Sequence, residues 1–436
     1  CAITITGMGK DRILAMLGQA EAVELSLQAA NAFQPRSPIS AREFFAGRGE
    51  QLTTVVDAVA QTGLHVVLFG ERGVGKTSLA NIIEPLLYVM EKSVAGRDTQ
   101  PRLVVKVNTN NSDQFHDVWH RAFNEIAWED ESATVGFKAR PQVQRVTLTE
   151  AFGIPKVPGI DDVRRVLSAL RRSVFIFDEF DRGSDTMKRS FTDLIKALSD
   201  YAIDSTVVVV GVAETVDQLV RDHASIVRAI VQIQLPRMTE RELRDILDKA
   251  SKVLTIEFAN DASSLIVRMS QGLPHYTHLI GLHATRQAAN RLSRRVEVQD
   301  VHASFSQAMQ QAIQSIRDKY LQAIHSAHKD ALYERVLLAC AIASSTVKDA
   351  LGYFHPSDVL DPLGVVLDRE NVTIATFQKH ITDFCESSRG PILERSGVSR
   401  AYKYRFLDPL LPPFIFMTAM SAGVIDPRVL ESYATR

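Results

Sequence analysis

The stretch Gly70-Glu71-Arg72-Gly73-Val74-Gly75-Lys76-Thr77 constrains this chain more than any other eight residues. It satisfies the pattern G-x-x-x-x-G-K-[ST], in which glycines let successive backbone N–H groups converge on an anion. The apolar run Leu64–Phe69 precedes it, and Leu79, Ile82, Ile83, Leu86, Leu87 and Met90 follow at helical spacing. A strand, a glycine turn and a helix start in that order make a phosphate-binding loop, with the helix dipole adding to the N–H groups. Gly70, Glu71, Arg72, Gly73, Val74, Gly75 and Ser78 are then candidate contacts to a nucleotide. Lys76 is placed to reach the β- and γ-phosphates, and the Thr77 hydroxyl to coordinate Mg²⁺. Pro85 is expected to kink or shorten the helix that follows.

About a hundred residues further on, Val174, Phe175, Ile176 and Phe177 run into Asp178 and Glu179. Four apolar residues followed by two carboxylates form a Walker B arrangement. Asp178 would hold the metal, and Glu179 would orient and polarise an attacking water. The two motifs, in order and in context, point to ATP and Mg²⁺ as cofactors and to hydrolysis of ATP to ADP and phosphate.

Around these motifs the chain alternates short apolar runs with helical stripes. Leu103–Val107, Val174–Phe177, Val207–Gly211 and Ile230–Leu235 read as strands, which implies an α/β fold with a parallel sheet buried on both faces. Residues 129–160 are polar and punctuated by proline and glycine, and read as an inserted loop. From Thr239 the pattern turns helical, opening with the capping-box pair Thr239 and Glu242. The C-terminal part reads as a helix over Leu332–Ala343, a second near Thr376–Cys385, and a hairpin of Ile392–Arg395 against Tyr402–Phe406. The expected divisions are an N-terminal helical arm (1–39), a P-loop nucleotide-binding domain (40–236), a helical lid (237–328) and a domain over 329–436.

The P-loop, Asp178-Glu179-Phe180-Asp181, and the segment Phe44-Phe45-Ala46-Gly47-Arg48 with Glu50 and Leu52 together resemble the AAA+ ATPases of the initiator type. These are the origin-recognition-complex ATPases and their relatives, with the STAND switch proteins as neighbours. The resemblance spans about 40–436 and implies a helical lid, a C-terminal winged helix and a nucleotide-dependent homo-oligomer. It places Arg48 near the adenine, and Pro274 and His275 of Gly272-Leu273-Pro274-His275 at the lid. The polar sensor after the fourth strand falls on Glu214 or Thr215, and an arginine finger on Arg228, with Arg221 in reserve. The family's G-x-P-R would put an arginine at 275, but this chain has His275, which weakens coupling of the lid to the γ-phosphate and favours a slow switch.

Composition bounds the partners. The 436 residues carry 50 Lys+Arg against 51 Asp+Glu, which excludes a uniformly basic coat for nucleic acid. Basic residues instead concentrate on the expected hairpin, where Arg389, Arg395, Arg400, Lys403 and Arg405 meet one acid, Glu394, with Tyr402 and Tyr404 interleaved. With Lys379, Arg395, Arg400, Lys403 and Arg405 are the candidate contacts to double-stranded DNA, alongside Gln378 and His380. Arg286, Arg291, Arg294 and Arg295 read as an exposed helix face rather than a DNA channel. His275, His278 and His283 lack carboxylate or cysteine partners at ligand spacing, so a metal site there is not expected. Three cysteines, Cys1, Cys340 and Cys385, make no disulfide framework, and the longest uncharged stretch is too short to cross a membrane, so a cytoplasmic protein is expected.

The sequence therefore leaves two functions of different class, and beside them a nearly inactive ATP-binding scaffold that the His275 departure suggests. The first is an ATP-hydrolysing AAA+ switch acting on DNA through a winged helix. The alternative is a STAND-like signalling or defence ATPase whose winged helix contacts a protein partner.

Overall fold

A computed structural model describes residues 10–35, 37–39, 43, 45–95, 101–132, 142–213, 215–220, 226–326, 331–346, 352–398 and 401–424. Two compact units emerge. A sheet unit comprises Ile39–Glu71 and Gly75–Pro236, and a helical unit comprises the described residues of 1–38, 72–74 and 237–436.

The helical unit begins with helix α1 (Lys10–Ala32). The sheet unit then runs α2 (Gly49–Ala60), β1 (His65–Gly70), α3 (Lys76–Ala95), β2 (Leu103–Asn108), α4 (Phe115–Asn124), β3 (Ala127–Ser132), β4 (Gln142–Thr147), α5 (Leu148–Ala151), α6 (Ile160–Leu170), β5 (Ser173–Asp178), α7 (Asp185–Asp200), β6 (Ser205–Val212) and β7 (Ile230–Gln234). Five of these strands form one parallel sheet in the order β2-β5-β6-β1-β7. Strand β6 thus lies between the strand that leads into the glycine loop and the strand that ends in Asp178. The expected α/β class and parallel sheet are present.

Alternate residues of the strands serve opposite faces. Phe175 and Phe177 share one buried cluster with Trp119 and Phe123 of α4 and Phe191 of α7. Trp119 is its centre, with ring centroids 4.9 Å from Phe177 and 5.3 Å from both Phe175 and Phe123. The other face carries Ile176, Lys106 and Asp178, on the side where α3 packs on β1, β5 and β6.

One local expectation is corrected, and of the two effects expected of Pro85 the shortening of the helix does not occur. The polar segment after residue 126 is not an irregular insertion: β3 and β4 pair antiparallel, from Ala127 opposite Thr147 to Ser132 opposite Gln142. Its strands carry few apolar residues, so no apolar period in the sequence announced them. Pro85 sits inside α3 without ending it. Proline removes one N–H bond, here the one to the carbonyl of Asn81. The burial of Leu79, Ile82, Ile83 and Leu87 holds the helix in register around that loss.

The helical unit continues with α8 (Glu240–Leu254), β8 (Glu257–Phe258), α9 (Asn260–Ser270), α10 (Pro274–Asn290), β9 (Arg295–Val296), α11 (Val298–Gln311), α12 (Gln314–Ile324), α13 (Tyr333–Thr346), α14 (Leu360–Leu367), α15 (Ile374–Asp383), β10 (Leu393–Ser396), β11 (Lys403–Phe406) and α16 (Leu411–Ser421). Thr239 and Glu242 cap α8 reciprocally, at 2.9 Å from the Thr239 N–H to the Glu242 carboxylate. Helix α1 packs on α8 and α10. At that contact Gly281 leaves room for the Phe33 ring, which a Cβ would meet at 2.7 Å. Strands β10 and β11 form the expected hairpin, and Tyr404 bridges to Phe354. The uncharged C-terminal stretch becomes α16, buried along most of its length and packed on α11 and α13. Among the described residues no helix is long and apolar enough to cross a membrane.

Candidate nucleotide-binding site

The glycine loop leaves β1 at Gly70, where φ is +154° and a Cβ would sit 2.4 Å from the carbonyl oxygen of Leu235. Only glycine fits that approach. Gly73 and Gly75 also adopt left-handed conformations, at φ +86° and +95°, and the chain then enters α3 at Lys76. The first N–H groups of that helix have no intrahelical acceptor, and Thr77 and Ser78 lie in its first turn. Ser78 also accepts from the Ile39 N–H at 3.1 Å.

Lys76 is buried, and its ammonium donates to the carbonyls of Gly70 (3.0 Å) and Glu71 (2.7 Å). These two carbonyls are neutral acceptors, and they hold the ammonium over the loop. An anionic ligand competes well against such partners, because hydrogen bonds to charged acceptors are about twice as strong as neutral ones.

Asp178 ends β5 with its side chain buried. Its Oδ1 accepts from the Glu179 N–H at 2.9 Å, and its Oδ2 forms an ion pair with Lys106 Nζ at 2.9 Å. No directed hydrogen bond reaches Oδ2 among the described residues. A buried carboxylate oxygen with a lone pair to offer, together with the Thr77 hydroxyl, is a hard-oxygen donor set that suits Mg²⁺ completed by phosphate oxygens and water. Glu179 takes a left-handed backbone conformation at φ +55°, and its carboxylate meets Arg182 at 2.8 Å. The next two residues explain how that turn is fixed. Phe180 is buried, 4.8 Å from Phe191, and Asp181 accepts from the Val212 N–H at 2.8 Å.

Sequence reasoning did not find Lys106 or Arg182. Arg182 lies three residues after Glu179, a spacing from which an ion pair could have been read. Lys106 has no such signal, because its approach to Asp178 depends on the pairing of β2 with β5, which sets Asn108 beside Asp178.

The remaining expected residues have their own surroundings. Arg48 is buried and donates to the Pro236 carbonyl at 2.6 Å. Arg228 is exposed in the turn before β7, and Thr215 is exposed before a short 3-10 turn. Cys1, Phe44, Glu214, Arg221 and Arg400 lie outside the described residues.

In the helical unit, Arg72 pairs with the buried Asp408 carboxylate at 3.2 Å, and Lys319 meets the same oxygen at 3.2 Å. Pro274 is the first residue of α10. His275 Nδ1 lies 2.7 Å from the Pro35 carbonyl, which can only accept, so Nδ1 carries the proton. Burial lowers the His275 pKa; the Pro35 bond opposes the shift and the Arg72 charge adds to it. The imidazole is therefore neutral, and its Nε2 presents a lone pair, which cannot donate to a phosphate.

The basic residues of the hairpin are differently engaged. Arg405 Nε donates to Glu394 at 2.8 Å, Lys403 and Arg405 lie over the Tyr353 ring, and Arg395 lies over Tyr402. Arg395 and Lys379 are exposed, whereas His380 is half-buried 4.6 Å from the Tyr333 ring. Arg389 donates to the carbonyls of Ala323 and His325, both at 2.7 Å. On the α10–β9 connection, Arg291 is paired with Asp300 at 2.6 Å. No group of three or more metal-ligating side chains occurs among the described residues.

No curated protein matches the sequence. Solved structures similar in fold include the Aeropyrum pernix ORC1 protein in complex with DNA, at 16% identity over 92% of this chain and 97% of that one, with a TM-score of 0.44. Cdc6p from Pyrobaculum aerophilum matches at 15% identity over 91% and 99%, with a TM-score of 0.45. The Thermotoga maritima RuvB Holliday junction branch migration motor matches at 16% over 84% and 94%, with a TM-score of 0.41. The family model for novel STAND NTPase 1 matches residues 31–350, which include the glycine loop, Asp178 and α10. The chain belongs to the novel STAND NTPase 1 family.

Proposed function

We propose that this protein is a magnesium-dependent switch that binds and slowly hydrolyses ATP. The observation that carries the reading is a buried Lys76, donating to two carbonyls of the glycine loop that follows β1, together with a buried Asp178 at the end of β5 in the same sheet as β1. On ATP binding, the N–H groups of residues 70–78 cradle the phosphates, and the Lys76 ammonium moves from the loop carbonyls to the β- and γ-phosphate oxygens. Thr77 and Asp178 would hold Mg²⁺, which would supply charge neutralisation to the transferred phosphoryl group. Glu179, steadied by Arg182, polarises the attacking water and takes its proton. Arg228 of a neighbouring copy supplies the missing cation at the γ-phosphate, so turnover rises with homo-oligomerisation. The resemblance expects an arginine at position 275, and the neutral His275 in its place supports slow turnover.

The test is nucleotide binding with turnover measured in parallel. Lys76→Ala should lose ATP binding, by about a hundredfold or more, since charge-assisted hydrogen bonds contribute roughly 1.5–3 kcal/mol each. Glu179→Gln should keep binding and lose turnover. Unchanged binding and turnover in Lys76→Ala would defeat the proposal.

A contact with double-stranded DNA through the 329–436 region, read as a winged helix, is a second proposal, favoured by the exposed Lys379 on α15 and Arg395 on β10. Replacing both with alanine should weaken duplex binding and reduce its salt slope by about two. Binding that is absent, or indifferent to salt and to both residues, would point to the protein-partner alternative.

A further inference from the structure

We propose that Lys106 is a built-in cation that holds the Asp178 carboxylate in the absence of magnesium and competes with Mg²⁺ for it. The inference rests on the nucleotide-binding reading above and adds a residue that neither motif contains. Lys106 comes from β2, the strand beside β5, and its Nζ lies 2.9 Å from Asp178 Oδ2. The same ammonium donates to Asn81 Oδ1 at 2.6 Å. Asn81 lies four residues after Thr77 on α3, so the two share one helix face and Lys106 approaches the candidate metal ligands from one turn along.

Both oxygens of Asp178 are already engaged, Oδ1 by the Glu179 N–H and Oδ2 by Lys106. A magnesium ion or its bound water that takes the buried Oδ2 shares it with an ammonium or displaces it. Sharing sets two cations on one buried carboxylate, and the repulsion is large where water does not screen it. Asn81 gives the displaced ammonium a second acceptor, so Lys106 can withdraw without losing every partner. Asn81 is itself anchored, its Nδ2 lying 3.4 Å from the Ile39 carbonyl. Without magnesium the sign reverses. The ammonium then neutralises Asp178 and spares an incoming polyphosphate the repulsion of a bare carboxylate. Lys106 thus has opposite effects on the two forms of the nucleotide, favouring binding of free ATP and raising the magnesium needed to saturate the complex.

The experiment is a titration of the full-length protein with a fluorescent ATP analogue, first in EDTA and then against rising Mg²⁺, for wild type, Lys106→Met and Lys106→Arg. Lys106→Met should bind the analogue about tenfold more weakly in EDTA and reach half-saturation at about tenfold less Mg²⁺, the factor produced by about 1.4 kcal/mol. Lys106→Arg should stay within about twofold of wild type in both. A purely structural role predicts that both readouts worsen together in Lys106→Met, and that result overturns the proposal, as does an unchanged magnesium requirement. If Lys106→Met does not fold, Lys106→Gln carries the same expectation with a neutral hydrogen-bonding side chain. Loss of analogue binding in wild type itself, with and without Mg²⁺, would defeat the nucleotide-binding reading instead, and this inference with it.

Discussion

Lys76 and His275 each stand at the start of a helix, α3 in the sheet unit and α10 in the helical unit, and each donates to backbone carbonyls. The outcomes differ. Lys76 spreads its donors over the carbonyls of Gly70 and Glu71, two residues of its own loop. His275 directs its single ring proton to Pro35, and burial keeps it neutral. The contrast extends through both units. In the sheet unit the polar side chains at the strand ends face one another as charges: Lys106 on Asp178, Arg182 on Glu179. In the helical unit polar groups near α10 close onto their own surroundings, with Tyr276 donating to the Leu410 carbonyl and Arg72 and Lys319 both on Asp408. In the sheet unit these charges gather at Asp178 and Glu179 beside the glycine loop, whereas in the helical unit they bind segments of that unit to one another.

The largest expected effect breaks the sheet unit alone. Trp119 is fully buried among Phe175, Phe177, Phe123 and Phe191, so Trp119→Ala should destabilise the sheet unit by about 3–5 kcal/mol in chemical denaturation. That cluster backs the face of β5 opposite Asp178, and nucleotide affinity should fall with it. A loss below about 1 kcal/mol would mean that the aromatic face does not support the strand carrying Asp178.

A smaller effect compares the units through pH, since each buries a histidine. Burial pushes His65 of β1 down to about 3, and His278 of α10 down to about 4, with repulsion between the protonated forms of His275 and His278 a smaller cause of the second shift. Above pH 6.5 both are neutral folded and unfolded, and neither contributes a pH dependence. As pH falls below 6.5 the unfolded chain takes up protons that the folded one refuses, so stability drops, by about 2–3 kcal/mol for each histidine at pH 4.5. His65 accepts from the Val207 N–H through Nδ1, at 3.0 Å. His65→Gln should flatten the acid response of the sheet unit and leave that of the helical unit in place, as read by unfolding at pH 7 and 4.5. Equal acid sensitivity of the sheet unit with and without His65 would show that other groups carry it.

The two units were unequally legible in the sequence. The glycine loop, Asp178 and the helix stripes were readable because local spacing defines them. The β3–β4 hairpin was not, since its mostly polar strands leave no apolar period. Lys106 reads as one polar residue in an apolar strand, and its meaning comes only from the register of β2 on β5, a contact across 72 residues of chain. In the helical unit His275 was visible as a departure from the family's arginine. Its neutral tautomer was not visible, because the acceptor that sets it, Pro35, lies on the other side of the whole sheet unit in sequence. The hairpin cations were likewise counted but not placed: Arg405 and Lys403 read as exposed charges, whereas Glu394 and Tyr353 engage them.

The most direct test of the central claim is the fate of ATP on the Glu179→Gln variant. The protein is incubated with ATP and Mg²⁺, freed of unbound nucleotide, and the bound nucleotide is identified. Retained ATP in the variant, against ADP in wild type and no nucleotide in Lys76→Ala, is the result this account expects. Equal amounts of ADP in wild type and Glu179→Gln would contradict it, because Glu179 would then have no part in hydrolysis.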